Sequence, residues 1–179
     1  NSKDNLLPIR DIIREELQKQ NIKINFDVAA EYYLDDGFEK KLRDKENLLL
    51  INDEYILVET SYMNEPSNLN SIMFEIQASG LKPILAHPER YSYMYDSFEK
   101  YEAIFERNVY FQLNLNSLSG YYSKAAKDIA NKLIDKKMIH FSGTDCHGEK
   151  HINALTKVLS TKGFQKLQQL PLLNNSLAK

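Results

Sequence analysis

Tryptophan is absent from the 179 residues, cysteine occurs once, proline five times and glycine six times. The single thiol, Cys146, cannot close an internal disulfide and leaves no CxxC pair for a redox or structural zinc site. With so little glycine there is no Walker-type loop, dinucleotide-binding glycine pattern or Gly-x-Ser-x-Gly elbow. Long apolar runs are missing too: the longest aliphatic stretch, residues 48–51, is far short of the roughly 20 residues of a membrane helix. Neither sign of charge dominates. Lys and Arg number 23 against 25 Asp and Glu, a net charge of -2, which excludes any basic excess that would call for nucleic acid or an acidic membrane surface. Residues 1–5 are polar and form no cationic, apolar leader, so the expected setting is cytoplasmic. No Gly/Ser/Pro-rich linker divides the chain, and residues 1–179 read as a single domain.

What is present is core material and a clear alternation of patterns. Five short apolar runs, residues 26–33, 55–60, 83–87, 109–115 and 138–144, read as buried strands. Between them lie stripes at helical spacing. Leu69, Ile72, Met73 and Ile76 form one, with Gly80 as its C-terminal cap. Phe98, Tyr101, Ile104 and Phe105 form another, with Ser97 as its N-cap. Ile129, Leu133 and Ile134 make a third, and Ile152, Leu155, Val158 and Leu159 a fourth; Leu6, Ile9, Ile13 and Leu17 precede them all. Strand and helix alternating with short connections predicts an α/β chain built on a parallel sheet.

Polar residues recur at the ends of these strands. Glu31 and Glu59 are 28 residues apart, His87 follows after another 28, and Asp145 lies 58 beyond. Asn114 and Asn116 fall near the missing step. A βα unit takes about 30 residues, so the expectation is one polar residue per unit, each where its strand ends, on the face where (β/α) barrels build their chemistry. His147 joins Asp145 in the segment SGTDCHG, on the same side of an extended chain, and Arg90 follows His87 by three residues. Two histidines with three carboxylates is the mixed ligand set of Mn, Fe or Zn sites in multi-metal hydrolases.

Each of these residues has a plainer reading by itself. Asp-x-His is a common loop cap, a strand-end Glu a common ion-pair partner, His87 a candidate core histidine and Arg90 a candidate surface charge. The shared spacing is what favours a common site. His140 lies early in its strand and reads as structural, whereas His151, close behind the Asp-x-His segment, is a candidate support for the ligands. Tyr91, Tyr93 and Tyr95 read as packing. Cys146 fails as a phosphatase nucleophile, because the Arg that such enzymes place six residues later is Ile152 here.

The segments AAEYYLDDGF, YILVETSYMNEP, GLKPILAHPERY, FQLNLNSLSGYY and SGTDCHG, in that order, resemble bacterial metal-dependent protein-tyrosine phosphatases of the PHP family, the kind linked to capsule and exopolysaccharide production. The resemblance runs over nearly the whole chain. It implies a distorted (β/α)7 barrel, of which five βα units lie here, with a cluster of two to three divalent ions at the C-terminal ends of the strands. Manganese is the foremost candidate, with zinc or iron as alternatives. By position, Glu31, Glu59, His87, Asp145 and His147 match the family's metal ligands, and Arg90 its phosphate-binding arginine. The family's opening His-x-His motif, the Asp after it and a Thr-Pro-His segment have no counterpart, so the chain is expected to be an N-terminally incomplete PHP domain with a weakened or absent activity. The implied reaction is hydrolysis of phosphotyrosine in the tail of a bacterial tyrosine autokinase. Another PHP phosphoesterase, such as a histidinol-phosphate phosphatase, and a non-catalytic regulatory fragment are the alternatives. Unpaired sheet edges suggest association between copies.

Overall fold

The computed structural model describes residues 3–44 and 46–177. Five strands, β1 (Glu31–Tyr33), β2 (Tyr55–Glu59), β3 (Lys82–Ala86), β4 (Tyr110–Asn114) and β5 (Phe141–Gly143), form one sheet in the spatial order β1-β2-β3-β4-β5, every pair parallel. Each return to the start of the next strand runs through a helix: α2 (Asp36–Arg43), α3 (Leu69–Ala78), α4 (Glu99–Phe105) and α5 (Lys124–Asp135). Helix α1 (Lys3–Lys19) precedes the sheet, and α6 (Glu149–Val158) and α7 (Lys162–Leu167) follow it. Because spatial order equals chain order, the sheet is singly wound and has no switch point of the kind that places ligands in doubly wound folds. None of the described helices is long and apolar enough to cross a membrane.

The first strand is shorter than the apolar run 26–33 predicts. Only Glu31–Tyr33 pair with β2, in register with Leu57–Glu59, and no strand lies on the other side among the described residues. Upstream of it, the Ala30 N–H bonds Leu49 O at 3.1 Å and Phe26 O accepts from Arg14 Nε at 2.6 Å, so this stretch spends its backbone groups on loop and helix partners. The fifth strand is trimmed likewise: Met138 and Ile139 are buried, but pairing starts at Phe141.

Period-two alternation gives the sheet two different faces. Tyr32, Ile56, Val58, Leu85, Phe111 and Leu113 point into the helix layer, where they join Ile72, Ile76, Tyr101 and Leu133 in the main core. Tyr55, Ile84 and Phe141 point the other way and form a smaller cluster, with Tyr55 edge-on to both Tyr110 and Phe141 at 5.4 and 5.3 Å. A fully buried aromatic or aliphatic side chain contributes about 1.5–3 kcal/mol, so the dozen largest of these dominate stability. Counting in twos along the second face leads from Tyr55 and Leu57 to Glu59, and from Tyr110 and Gln112 to Asn114. The same face is apolar at one end and polar at the other.

Helix ends follow local chemistry. After α3, Gly80 takes φ 86°, and the N–H groups of Gly80 and Leu81 bond Gln77 O and Ile76 O, which ends the helix as its glycine predicts. Leu69, Ile72, Met73 and Ile76 are all buried. Helix α4 departs from expectation, because it starts at Glu99 and the Ser97 hydroxyl donates to the Glu99 carboxylate at 2.6 Å instead of capping. In α6 the inward face is Ala154 and Val158, whereas Ile152 and Leu159 are 55% and 64% exposed. Helix α1 carries its predicted stripe but has no buried residue; Ile9 and Ile13 are exposed. At the far margin of the sheet, the Asn174 side chain accepts from Ser142 N–H and donates to Ser142 O, both at 2.9 Å, so β5 is covered.

Candidate metal centre

Strand ends converge at the polar rim of the second face. Glu59 is the last residue of β2, His87 directly follows β3, and Asp145 stands two residues beyond β5. Glu31 does not end its strand as the spacing predicts: it opens β1, paired with Leu57, and its side chain reaches across to the rim. His87 and Asp145 both adopt left-handed backbone, with φ 35° and 46°, a conformation that strains a residue carrying Cβ by about 1–3 kcal/mol and collects at functional sites. After His87 the chain folds into a tight 3-10 turn, Pro88–Arg90, closed by Arg90 N–H on His87 O at 2.9 Å. That turn folds Arg90 back over the strand ends.

Glu31, Glu59 and His87 offer ligand atoms that all lie within 4.8 Å of one another. His87 Nε2 is 3.4 Å from Glu31 Oε1 and 3.5 Å from Glu59 Oε2, while its buried Nδ1 has no partner. Burial pushes the His87 imidazole toward neutrality, but Glu31 and Glu59 together outweigh it and raise its pKa to about 9. The same contact with His87 lowers that of Glu59. Two carboxylates and an imidazole facing one point are a fitting donor set for a divalent ion.

Asp145 and His147 line the same cavity of about 220 Å³ but stand outside this tight triad. Asp145 Oδ2 accepts from Arg90 Nη1 at 2.8 Å and from Asn114 Nδ2 at 3.2 Å. The His147 side chain is 73% exposed, its Nδ1 lying 2.9 Å from the Asp145 backbone oxygen. Arg90 lies over two rings, with its guanidinium carbon 4.5 Å from the Tyr62 centroid and 4.1 Å from that of Tyr122. Tyr62 is fixed in turn, since its carbonyl accepts from both the N–H and the hydroxyl of Ser92 at 2.8 Å. Tyr122 accepts from Asn114 Nδ2 at 2.9 Å.

Sequence reasoning missed Tyr62 and Tyr122; tyrosines are too common in this chain for either to stand out. It also missed Glu89, which is fully buried beside His87. Glu89 Oε1 accepts from the Ser117 hydroxyl at 2.6 Å and the Asn114 N–H at 3.2 Å, which anchors the Arg90 turn to β4, and burial pushes its pKa up. Only its position next to Arg90 could have signalled this. His140 sits at the opposite end of its strand, where Nδ1 accepts from Phe111 N–H at 3.2 Å and the ring stacks on Phe105.

A singly wound parallel sheet with a carboxylate–histidine cluster and an arginine gathered in one cavity defines an α/β chain with a candidate metal site. The chain belongs to the CpsB/CapC family of capsular polysaccharide synthesis, whose family model matches residues 1–166. The tyrosine-protein phosphatase YwqE of Bacillus subtilis is 26% identical over 147 residues, which cover 82% of this chain and 58% of that protein. The tyrosine-protein phosphatase CpsB of Streptococcus pneumoniae is 26% identical over 149 residues, 80% of this chain and 60% of its own. The chain therefore spans less than two thirds of the length of these curated relatives. Among solved structures, a chain from the crystal structures of YwqE and CpsB, described as unique metal-dependent tyrosine phosphatases, superposes with a TM-score of 0.74 at 25% identity, covering 89% of this chain and 68% of that one.

Proposed function

We propose that the protein hydrolyses phosphotyrosine with divalent metal ions held by Glu31, Glu59, His87, Asp145 and His147, manganese foremost, and with Arg90 receiving the phosphoryl group. The observation that carries this reading is the convergence of Glu31, Glu59 and His87 within 4.8 Å, in one cavity with an arginine that lies over two rings. Family membership and the names of the relatives support it further. The proposed frame is the distorted (β/α)7 barrel of the PHP family, a plan with which the sequential parallel strand order agrees. The proposed partner is the phosphorylated tail of a bacterial tyrosine kinase that governs capsule synthesis, and the proposed setting is the cytoplasm.

The chain's own residues divide the work. Bound divalent ions would supply Lewis acidity, toward a water at near-neutral pH and toward phosphoryl oxygens. Glu31, Glu59 and His87 would form the floor that holds them, with Asp145 and His147 closing from the β5 side. Arg90 would donate its planar fork to two phosphoryl oxygens, exchanging one anion, the Asp145 carboxylate, for another. Tyr62 and Tyr122 hold that fork by ring contact. A phenolate leaves readily, with a conjugate acid pKa of about 10, so no dedicated proton donor is required. The test is release of phosphate from a phosphotyrosine peptide with Mn, and after chelation, beside phosphoserine peptide and histidinol phosphate. Equal turnover of all three substrates would overturn the assignment to tyrosine.

A further inference from the structure

We propose that His151 is a substrate-contacting residue of this site, its imidazole donating Nε2–H to a phosphoryl oxygen alongside the Arg90 guanidinium. The inference rests on the phosphatase reading above and adds a second donor to it. His151 stands in the first turn of α6 and lines the cavity that contains Arg90, Tyr122 and the five acidic and histidine side chains. Its Nδ1 accepts from the backbone N–H of His147 at 2.9 Å. A neutral imidazole carries one proton and one free lone pair. With the Nδ1 lone pair engaged, the proton sits on Nε2, and the ring is set as a donor.

The ring is also held in place from several sides. Tyr121 packs against it edge-on at 5.2 Å, Tyr122 at 6.4 Å, and its own carbonyl accepts from Asn116 Nδ2 at 3.4 Å. Tyr122 is shared, since one ring touches both His151 and the Arg90 guanidinium. A fixed tautomer, a fixed ring and a common neighbour with the anion-binding arginine are what a preorganised phosphoryl donor needs. The rival role is purely local: His151 could serve only to hold the backbone of His147.

The two ring nitrogens separate the roles. In His151→Gln the amide nitrogen reaches about as far as Nε2, whereas in His151→Asn the side chain ends at about the position of Nδ1 and can still accept from His147 N–H. The experiment titrates inorganic phosphate into the Mn-loaded chain by calorimetry, with metal content measured in each variant. His151→Gln should keep phosphate affinity within about threefold, and His151→Asn should lose about tenfold or more, the usual worth of one hydrogen bond to a charged group. Retention by Asn with loss by Gln, retention by both, or loss by both overturns the proposal. A check on the unaltered chain is independent of how the variants fold: the His151 Nε2 proton resonance should move when phosphate is added, and a resonance that does not move overturns the proposal equally. Phosphate binding with the Gln/Asn pattern but no hydrolysis of phosphotyrosine peptide would defeat the phosphatase reading while upholding His151 as the anion donor. Hydrolysis without the pattern would defeat the inference alone.

Discussion

The Arg90 guanidinium donates to the Asp145 carboxylate at 2.8 Å across the mouth of the cavity, each side chain only 17% exposed. The Asp145 carboxylate thus has one charged donor, Arg90, and one neutral donor, Asn114 Nδ2 at 3.2 Å. Arg90→Ala should lower turnover of phosphotyrosine peptide by about 100-fold or more, the usual cost of a lost anion donor. It should also cost about 1–3 kcal/mol of stability without metal, because Asp145 keeps Asn114 as a donor but loses its charged one. Steady-state kinetics beside urea denaturation checks both; unchanged turnover would take Arg90 out of phosphate binding.

Metal should stabilise the fold through the triad. Saturation at 100 times Kd adds about 2.7 kcal/mol, so Mn should raise the melting temperature and a chelator should reverse the rise. In Glu59→Gln, which leaves His87 next to a neutral amide, the Mn-dependent rise should shrink markedly. A rise of the same size in the variant would mean that the ion binds elsewhere.

Acid sensitivity should trace in part to His140, whose half-buried ring is held below the ordinary histidine value by burial. Its folded pKa lies under its unfolded one, so the unfolded chain binds more protons between the two values and stability falls as pH drops below about 6.5. His140→Asn removes the titration yet retains an acceptor near Nδ1 for Phe111 N–H. Denaturation midpoints between pH 7.5 and about pH 5 should therefore fall less steeply in the variant; parallel slopes would assign the sensitivity to other groups.

Asn174 is expected to hold the β5 margin. Its two hydrogen bonds to Ser142 are worth about 0.5–1.5 kcal/mol each, so Asn174→Ala should cost about 1–3 kcal/mol and leave strand groups open to other chains. Denaturation and concentration-dependent elution in size-exclusion chromatography test the two parts separately. A variant as stable as the parent would show that the C-terminal segment does not hold β5.

The strands and the inward helix faces were legible because their signals are periodic. Leu69, Ile72, Met73 and Ile76 fall on one stripe, and they are buried together. The βα period placed Glu59, His87 and Asp145 at or just past their strand ends before any geometry, whereas Glu31 opens its strand and reaches the same cavity by its side chain. What escaped depended on contacts between residues distant in the chain. Tyr62 and Tyr122 are 60 residues apart and meet only over Arg90. Of the stripe Ile152, Leu155, Val158 and Leu159, Val158 is buried and Leu155 packs on the core, but Ile152 and Leu159 are exposed because Ala154 takes the neighbouring inward place. The stripe on α1 was real, yet periodicity says which side is apolar and not whether anything covers it.

The sheet is directional. Its winding never reverses and Asn174 occupies Ser142 at the β5 margin, so among the described residues the margin left open to a further parallel strand is that of β1. Such a strand would run the same way as β1 and bring its own C-terminal end beside Tyr33, the last residue of β1. The β1 margin is thus where the sheet can be lengthened without reversing its winding.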